Sequence, residues 1–500
     1  SGQGHAVTAE VHEVALRVPD RPALILADGT TVDFATLDER VARLASWLRA
    51  EAGVGPGDVV ALMATNRPEW VETFQAALRI GARLVPINWH LRAEDASYVV
   101  HDAGAMALVI EEQFADAVEA PPAATLVTGP EYETALAAGT PAADVDGPRG
   151  SLMVYTSGTT GRPKGVRQEG GTAAGAEIGA AMVAMFGLDA ERGDTMLCTA
   201  PLYHSGPSRI CCEWPLGAGA TVVLMDRFGP EQALELVERH RISHAFFVPT
   251  MFQRMLALPD HERFDVSSLR FVLHGAGPCT VDVKQRMFDW FGPVIHEIYA
   301  ASEGPGTWIT PDEWLAHRGS VGKVDPARIE IRDDSGAPVA ADTEGIVWFA
   351  AAAPFEYHGD PEKTAATHDA TGAWYTVGDR GRIDADGYLF LTGRSAEVIV
   401  AGGVNVYPAR IDEVLQALPG VDDAAAFGLP DEELGEVVAA AVVAAGPMAG
   451  DLEQRVVDAC RAELGSQMTP RRVFVVDDLP RSDAGKLYRR RLVERFGDDG

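Results

Sequence analysis

The chain has 500 residues, 47% of them hydrophobic and 23% charged, with a net charge of −31. That length predicts two or more domains, and the composition is that of a soluble globular protein with no apolar run long enough to span a bilayer. The acidic excess argues against a nucleic-acid or anionic-membrane partner, so any anionic substrate has to be met by local cations and N–H donors.

In chain order, Phe34, Leu37, Val41, Leu44 and Leu48 recur at helical spacing. Val59–Ala64 reads as a strand, Glu69–Leu78 as a helix, and Arg83–Ile87 and Ala107–Glu111 as strands. Ser151–Val154 is a strand that runs into a hydroxyl- and glycine-rich stretch. Thr221–Met225 follows as a strand, Pro230–Arg241 as a helix, and His244–Val248, Arg270–His274 and Val294–Tyr299 as strands. This alternation predicts an α/β fold of doubly wound parallel sheets with helices on both faces. Ligands of such folds sit at the carboxyl ends of strands, and the runs 155–165, 274–278 and 299–303 each follow a strand directly.

From about Gly319 the texture changes. Ile329–Arg332, Gly345–Phe349 and Tyr388–Leu391 are shorter strands between Asp/Gly turns, which predicts a small β-subdomain over about 319–393. After Arg394 a compact α+β unit is expected. It comprises the helix Pro408–Leu418, strands Ala424–Gly428 and Val437–Val443, the helix Asp451–Leu464 and the strand Val473–Val476. The division is thus a large domain over 1–393, a junction at 394–397 and a small domain over 398–500.

The five cysteines, Cys198, Cys211, Cys212, Cys279 and Cys460, fit neither a zinc spacing nor a disulfide framework, and Cys211-Cys212 reads as packing. No basic stretch followed by an apolar core opens the chain, and a cytoplasmic location is expected. Oligomeric state is not read from the sequence; a homodimer is one option.

The chemistry concentrates at 155–166, Tyr-Thr-Ser-Gly-Thr-Thr-Gly-Arg-Pro-Lys-Gly-Val. Hydroxyls and glycine-exposed N–H groups are donors for phosphate oxygens, and Lys164 adds a point charge for a polyphosphate. Gly165 after the lysine rules out the Walker loop, which needs Ser or Thr there. The string resembles the signature of the adenylate-forming enzymes, which include acyl-CoA synthetases, luciferases and peptide-synthetase adenylation domains. Five further stretches resemble that family in its own order and together span nearly the whole chain.

The resemblance, closest to acyl-CoA synthetases, implies the following roles. Thr156, Ser157, Gly158, Thr159, Thr160, Gly161 and Lys164 would hold phosphates of ATP. In Pro201–Gly206, His204 would gate the adenylate and border the acyl group. Amino-acid-activating relatives carry an aspartate in this region, and none occurs across 203–210. A buried carboxylate with no ammonium to pair would cost several kcal/mol, so the acid expected here lacks an α-amino group. Gly275, Ala276 and Gly277 would lie under the adenine. Tyr299 would stack on adenine, Ser302 would meet the α-phosphate or the acyl carboxylate, and Glu303 would hold Mg²⁺, with Thr156 as a second ligand. Ala300 and Ile298 replace glycines of relatives. Gly275, Ala300 and Ala301 leave room in the acyl pocket, whereas Ile298 and Trp214 close it, and a bulky or medium-to-long apolar acid is favoured over acetate.

Asp379, in Tyr375–Asp379, would accept both ribose hydroxyls. Arg394 would bind ribose and phosphate, and the hinge position two residues on, polar in relatives, is Ala396. Gly402 and Gly403 would let the pantetheine arm of coenzyme A approach. Lys486, in Pro480–Lys486, would reach the carboxylate and α-phosphate. The resemblance therefore implies an acid–thiol ligase using ATP, Mg²⁺ and coenzyme A, with a mobile small domain. Alternatives left open are an acyl-AMP ligase loading a carrier protein, a luciferase-like oxygenase, and an inactive nucleotide-binding regulator. The last would be expected to have lost Lys486 or Glu303, and both are present.

Overall fold

The strand-forming runs of this chain assemble into four sheets. The structure, a computed structural model, describes residues 10–141, 149–156, 163–168, 173–301, 303–351, 355–401, 404–431, 434–446, 451–482 and 485–497. The largest sheet has eight strands in the order Gly304–Ile309, Ile295–Ala301, Phe271–His274, His244–Phe247, Thr195–Cys198, Thr221–Leu224, Pro22–Leu26 and Thr31–Asp33. Its six inner strands run parallel and both edges are antiparallel. The seven-stranded sheet orders Phe355–Tyr357, Lys164–Gln168, Ser151–Thr156, Arg83–Pro86, Val59–Met63, Ala107–Ile110 and Ala124–Val127. Lys164–Gln168 pairs antiparallel with the five-strand parallel array, and Phe355–Tyr357 pairs antiparallel with Lys164–Gln168 in turn. The fold is thus the expected α/β, with antiparallel hairpin strands added at these edges, where only short turns are needed.

Sequence explains why the helices stand where they do. Asp33 accepts the amide of Thr36 at 2.7 Å and starts Phe34–Ala50. That helix buries Phe34, Leu37, Val41, Leu44 and Leu48 against Pro68–Arg79 and the strands beneath. Each such aliphatic or aromatic side chain stabilises the fold by about 1.5–3 kcal/mol. Thr310 and Glu313 form a capping box at Pro311–Ala316.

A third, antiparallel sheet takes Gly322–Lys323, Tyr388–Arg394, Asp379–Ile383, Gly345–Ala350 and Ile329–Arg332, with Trp374–Tyr375 paired to its fourth strand. The fourth sheet uses only residues from 399 onward. It orders Val404–Val406, Ile399–Ala401, Gly435–Ala444 and Val421–Asp431, and Arg472–Val476 runs parallel to the third of these. Pro408–Gln416 and Leu452–Leu464 cover one face through Ile411, Leu415, Val456 and Cys460. No helix among the described residues is long and apolar enough to cross a membrane.

Candidate active site

The segment 299–303 does not follow a strand but belongs to one. Ile295–Ala301 turns back into Gly304–Ile309 with Ala301 opposite Gly304, so Glu303 sits at a hairpin tip and Ser302 falls outside the described residues. The same correction applies to 155–156, which lie within Ser151–Thr156, with Thr156 opposite Lys164. Residues 157–162, expected to hold phosphates, lie outside the described residues, as do Gly402 and Gly403. The strands flanking those two glycines pair through Ala401 and Val404, and Val400 and Val404 are exposed there.

Asp379 is the centre of the best-defined cluster. Its Oδ2 accepts the Tyr299 hydroxyl at 2.7 Å and its Oδ1 pairs with Arg394 Nε at 2.8 Å. Asp379 is buried while Arg394 reaches solvent. Burial and the neighbouring carboxylate hold the Tyr299 hydroxyl firmly protonated. Gly378 accepts the Ser395 amide at 2.8 Å, which ties the 394–397 turn to this cluster. Ala396 is exposed on that turn. Its neighbour Glu397 pairs with Arg489 at 3.0 Å, a polar anchor that sequence reasoning missed across 92 residues.

Glu303 forms the second cluster. Its Oε1 accepts the Tyr357 hydroxyl at 2.7 Å. Tyr375, its hydroxyl pushed up to about 12 by burial and then by Glu303, packs against Gly304, where any β-carbon would strike the phenol oxygen. Lys164 is ion-paired with Asp360, and the Lys363 ammonium lies 4.0 Å from the Tyr357 ring centroid. Tyr357, Asp360 and Lys363 are further candidates that sequence reasoning missed, because no local motif joins them to residues 54 or more positions away.

Lys486 completes the arrangement from the other side of the chain. Gly485, at φ +74°, backs onto Thr250 and Val248, where an added β-carbon would lie 2.5 Å from Thr250 Oγ1. The turn is closed by Gly485 N to Ser482 O at 2.7 Å and its base is fixed by Arg481 on Asp423 at 2.7 and 2.8 Å. The Lys486 ammonium reaches solvent, yet its pKa is lowered by burial of its surroundings and then by Arg394, against the pull of Glu397, Asp379 and Glu303.

Around the segment 201–206, Asn66 acts as a clip: its Oδ1 accepts Leu202 N at 2.8 Å and its Nδ2 donates to Ala200 O at 2.9 Å. His204 is half-buried beside the Tyr203 ring and precedes a π-helical stretch, Ser208–Glu213. Cys211 and Cys212 on that stretch are buried, and burial raises both thiols. Ala276 adopts φ +67°, a left-handed conformation rare outside glycine. Gly275 is buried at the end of Phe271–His274. A β-carbon there would meet the Ile298 carbonyl at 2.6 Å and its side chain at 3.0 Å, so the strand end packs tightly against its neighbour. Ile298 is partly buried opposite Trp308, Ala300 is exposed and Ala301 half-buried on the same strand, Gly277 is half-buried, and Trp214 packs on Phe186.

Residues 11–356 match the family described as AMP-binding enzyme, and residues 410–486 match the AMP-binding enzyme C-terminal domain. A feruloyl-CoA synthase of Amycolatopsis sp is 34% identical over 94% of this chain and 95% of its own length. A fatty acid–[acyl-carrier-protein] ligase, ScoC of Streptomyces coeruleorubidus, is 33% identical over 96% of this chain and 94% of its own. Among solved structures, the amide bond synthetase McbA of Marinactinospora thermotolerans superposes with a TM-score of 0.83 at 30% identity, covering 99% of this chain and 100% of that one.

Proposed function

This chain belongs to the AMP-binding enzyme family, and from that premise we propose that it is an AMP-forming acid–thiol ligase joining a carboxylic acid to coenzyme A. The observation that carries the reading is the pair of clusters Asp379–Arg394–Tyr299 and Glu303–Tyr357, whose charges both act on Lys486. A carboxylate is a poor acyl donor. In the first step its oxygen attacks the α-phosphorus of ATP, the bond to the β-phosphate breaks, and pyrophosphate leaves. In the second, the thiolate of coenzyme A attacks the acyl carbonyl and AMP departs. This chain contributes positioning and charge rather than a covalent intermediate.

In this reading Asp379 receives the ribose hydroxyls, Arg394 the ribose and phosphate, and Lys486 the charge that builds on the α-phosphate. Tyr299 steadies Asp379 while its ring flanks the adenine, with Gly275, Ala276 and Gly277 on the neighbouring strand end. His204 borders the acyl carboxylate, held in place by the Asn66 clip. Mg²⁺ fits the Glu303 corner: a carboxylate is the hard donor that ion favours, and Tyr357 fixes one of its oxygens. Glu303, with Thr156, would hold the ion, which when bound offsets phosphate charge. The small domain over 398–500 would turn at 394–397 between steps and bring Gly402 and Gly403 toward coenzyme A. A cytoplasmic location belongs to the same proposal.

An acid without an α-amino group is supported by the lack of aspartate across 203–210, and an apolar one by Ile298 and Trp214. The feruloyl-CoA synthase relative supports coenzyme A as acceptor, whereas the ScoC relative keeps a carrier protein as the second reading. Pyrophosphate release with ATP and Mg²⁺, over a panel of aliphatic, aryl and polycyclic acids with and without coenzyme A, tests all of this. Acyl-CoA formation is expected. Acyl-AMP as the sole product would favour the carrier protein, and no release with any acid would refute the activity.

A further inference from the structure

Five lysines stand against 37 arginines in this chain. Lys284 is buried against Glu297 at 2.6 Å, and Lys323 lies over the Tyr388 ring. Of the other three, Lys363 and Lys486 both feel the charge of Glu303, and Lys164 lies near Lys363. Lys486 has a role in the reading above; Lys363 has none.

The ammonium of Lys164 is already balanced by Asp360 Oδ2. The other oxygen of that carboxylate accepts the backbone amide of Lys363 at 2.9 Å, which fixes where the Lys363 side chain starts. From there the half-buried side chain runs over the Tyr357 ring, and among the described residues its ammonium pairs with no carboxylate. Burial, then the nearby Lys164 charge, lowers its pKa against the weaker pull of Glu303. Lys164 and Lys363 thus stand near each other with Asp360 paired to the first and only the weaker attraction of Glu303 on the second. Such a cation is costly to keep without a counter-charge, and a multiply charged anion offsets it.

We propose that Lys363, with Lys164, forms a cationic subsite for the terminal phosphates of a nucleoside triphosphate and hence for departing pyrophosphate. The subsite rests on the ATP-using reading of this site. Tyr357 makes it a unit with the adjoining carboxylate, because its ring carries Lys363 while its hydroxyl holds Glu303. AMP lacks the phosphates that would reach this subsite, so the two ligands separate its contribution from that of Asp379 and Arg394.

The test is calorimetric titration of the full chain with pyrophosphate and with AMP, each with magnesium chloride at one fixed ionic strength. Lys363→Gln is expected to weaken pyrophosphate binding about tenfold, the loss of one charge-assisted contact, and to leave AMP binding unchanged. Lys363→Arg, which keeps the charge, is expected to stay within about threefold of the parent. Unchanged pyrophosphate affinity in Lys363→Gln, an equal loss for both ligands, or no pyrophosphate binding by the parent protein would overturn the proposal. The titration needs no acid substrate. Pyrophosphate binding that depends on Lys363, in a protein that activates no acid, would sink the ligase reading and leave the subsite standing.

Discussion

Lys486 is a cation whose own surroundings work against its charge. Burial and Arg394 favour loss of its proton, and only the weaker pulls of Glu397, Asp379 and Glu303 favour keeping it. If the protonated ammonium stabilises the adenylation transition state, activity is present below its pKa and is lost as pH rises through it. Because that pKa is lowered, the alkaline limb of the adenylation rate is expected at a lower pH than an ordinary lysine would give. Arg394→Gln removes one of the two causes, so the limb of its residual activity should move to higher pH. A limb that stays in place, read from the pH profile of pyrophosphate release, would separate it from Lys486. The lowered pKa follows from contacts across roughly a hundred residues of chain and is invisible in the motif itself. The motif announces a lysine beside a glycine, whereas the fold supplies Arg394 and the carboxylates.

Among elements, the Arg489 side chain is the firmest joint of the C-terminal unit. It pairs with the buried Asp412 at 2.5 Å, donates to Ala426 O at 2.6 Å and reaches Glu397 at 3.0 Å, so Pro408–Gln416, Val421–Asp431, Arg489–Phe496 and the 395–397 turn meet at one guanidinium. Arg489→Met leaves the Asp412 carboxylate buried and unpaired, and is expected to cost about 3–5 kcal/mol of that unit's stability. Chemical denaturation followed by circular dichroism reads it, and a loss below about 1 kcal/mol would show Asp412 relieved by water or protonation. Elements of this unit were legible from period alone: Pro408–Gln416 and Leu452–Leu464 carry helical stripes, and Val437–Val443 is a continuous β-branched and alanine run. Pro22–Leu26 and Thr195–Cys198 were not read as strands. The hairpin at 299–304 was hidden as well. Its glycines and small residues read as loop, yet Gly306 and Gly304 are small because the Tyr299 carbonyl and the Tyr375 phenol lie against them.

At the scale of the whole molecule, the candidate site draws on several sheets. The large sheets supply Glu303 and Lys164, the antiparallel sheet supplies Asp379 and Arg394, and the C-terminal turn before Lys486 seats Gly485 on Val248 and Thr250. A further tie across the same face joins Gln253 to Gln416 at 3.2 Å. The order of motifs along the sequence singled out Lys164, Glu303, Asp379, Arg394 and Lys486, but not the Tyr357–Glu303, Asp360–Lys164 and Glu397–Arg489 pairs, which only folding brings together. Gly485→Ala tests the seating of the C-terminal turn. A left-handed backbone costs a non-glycine residue about 1–2 kcal/mol, and Thr250 must give way besides. Adenylation is expected to fall about tenfold while thiolation of supplied acyl-AMP persists. An unaffected adenylation rate would mean the turn docks elsewhere during that step.

The most direct measurement is the pair of half-reactions in Lys486→Ala: pyrophosphate release from ATP and acid, and conversion of preformed acyl-AMP to acyl-CoA. Loss of one preorganised charge at the reacting phosphate predicts a fall of about 10²–10³ in the first with the second near its parent rate. An equal fall in both, or adenylation that survives the substitution, would contradict the assignment of Lys486 to the adenylation step and the site built around it.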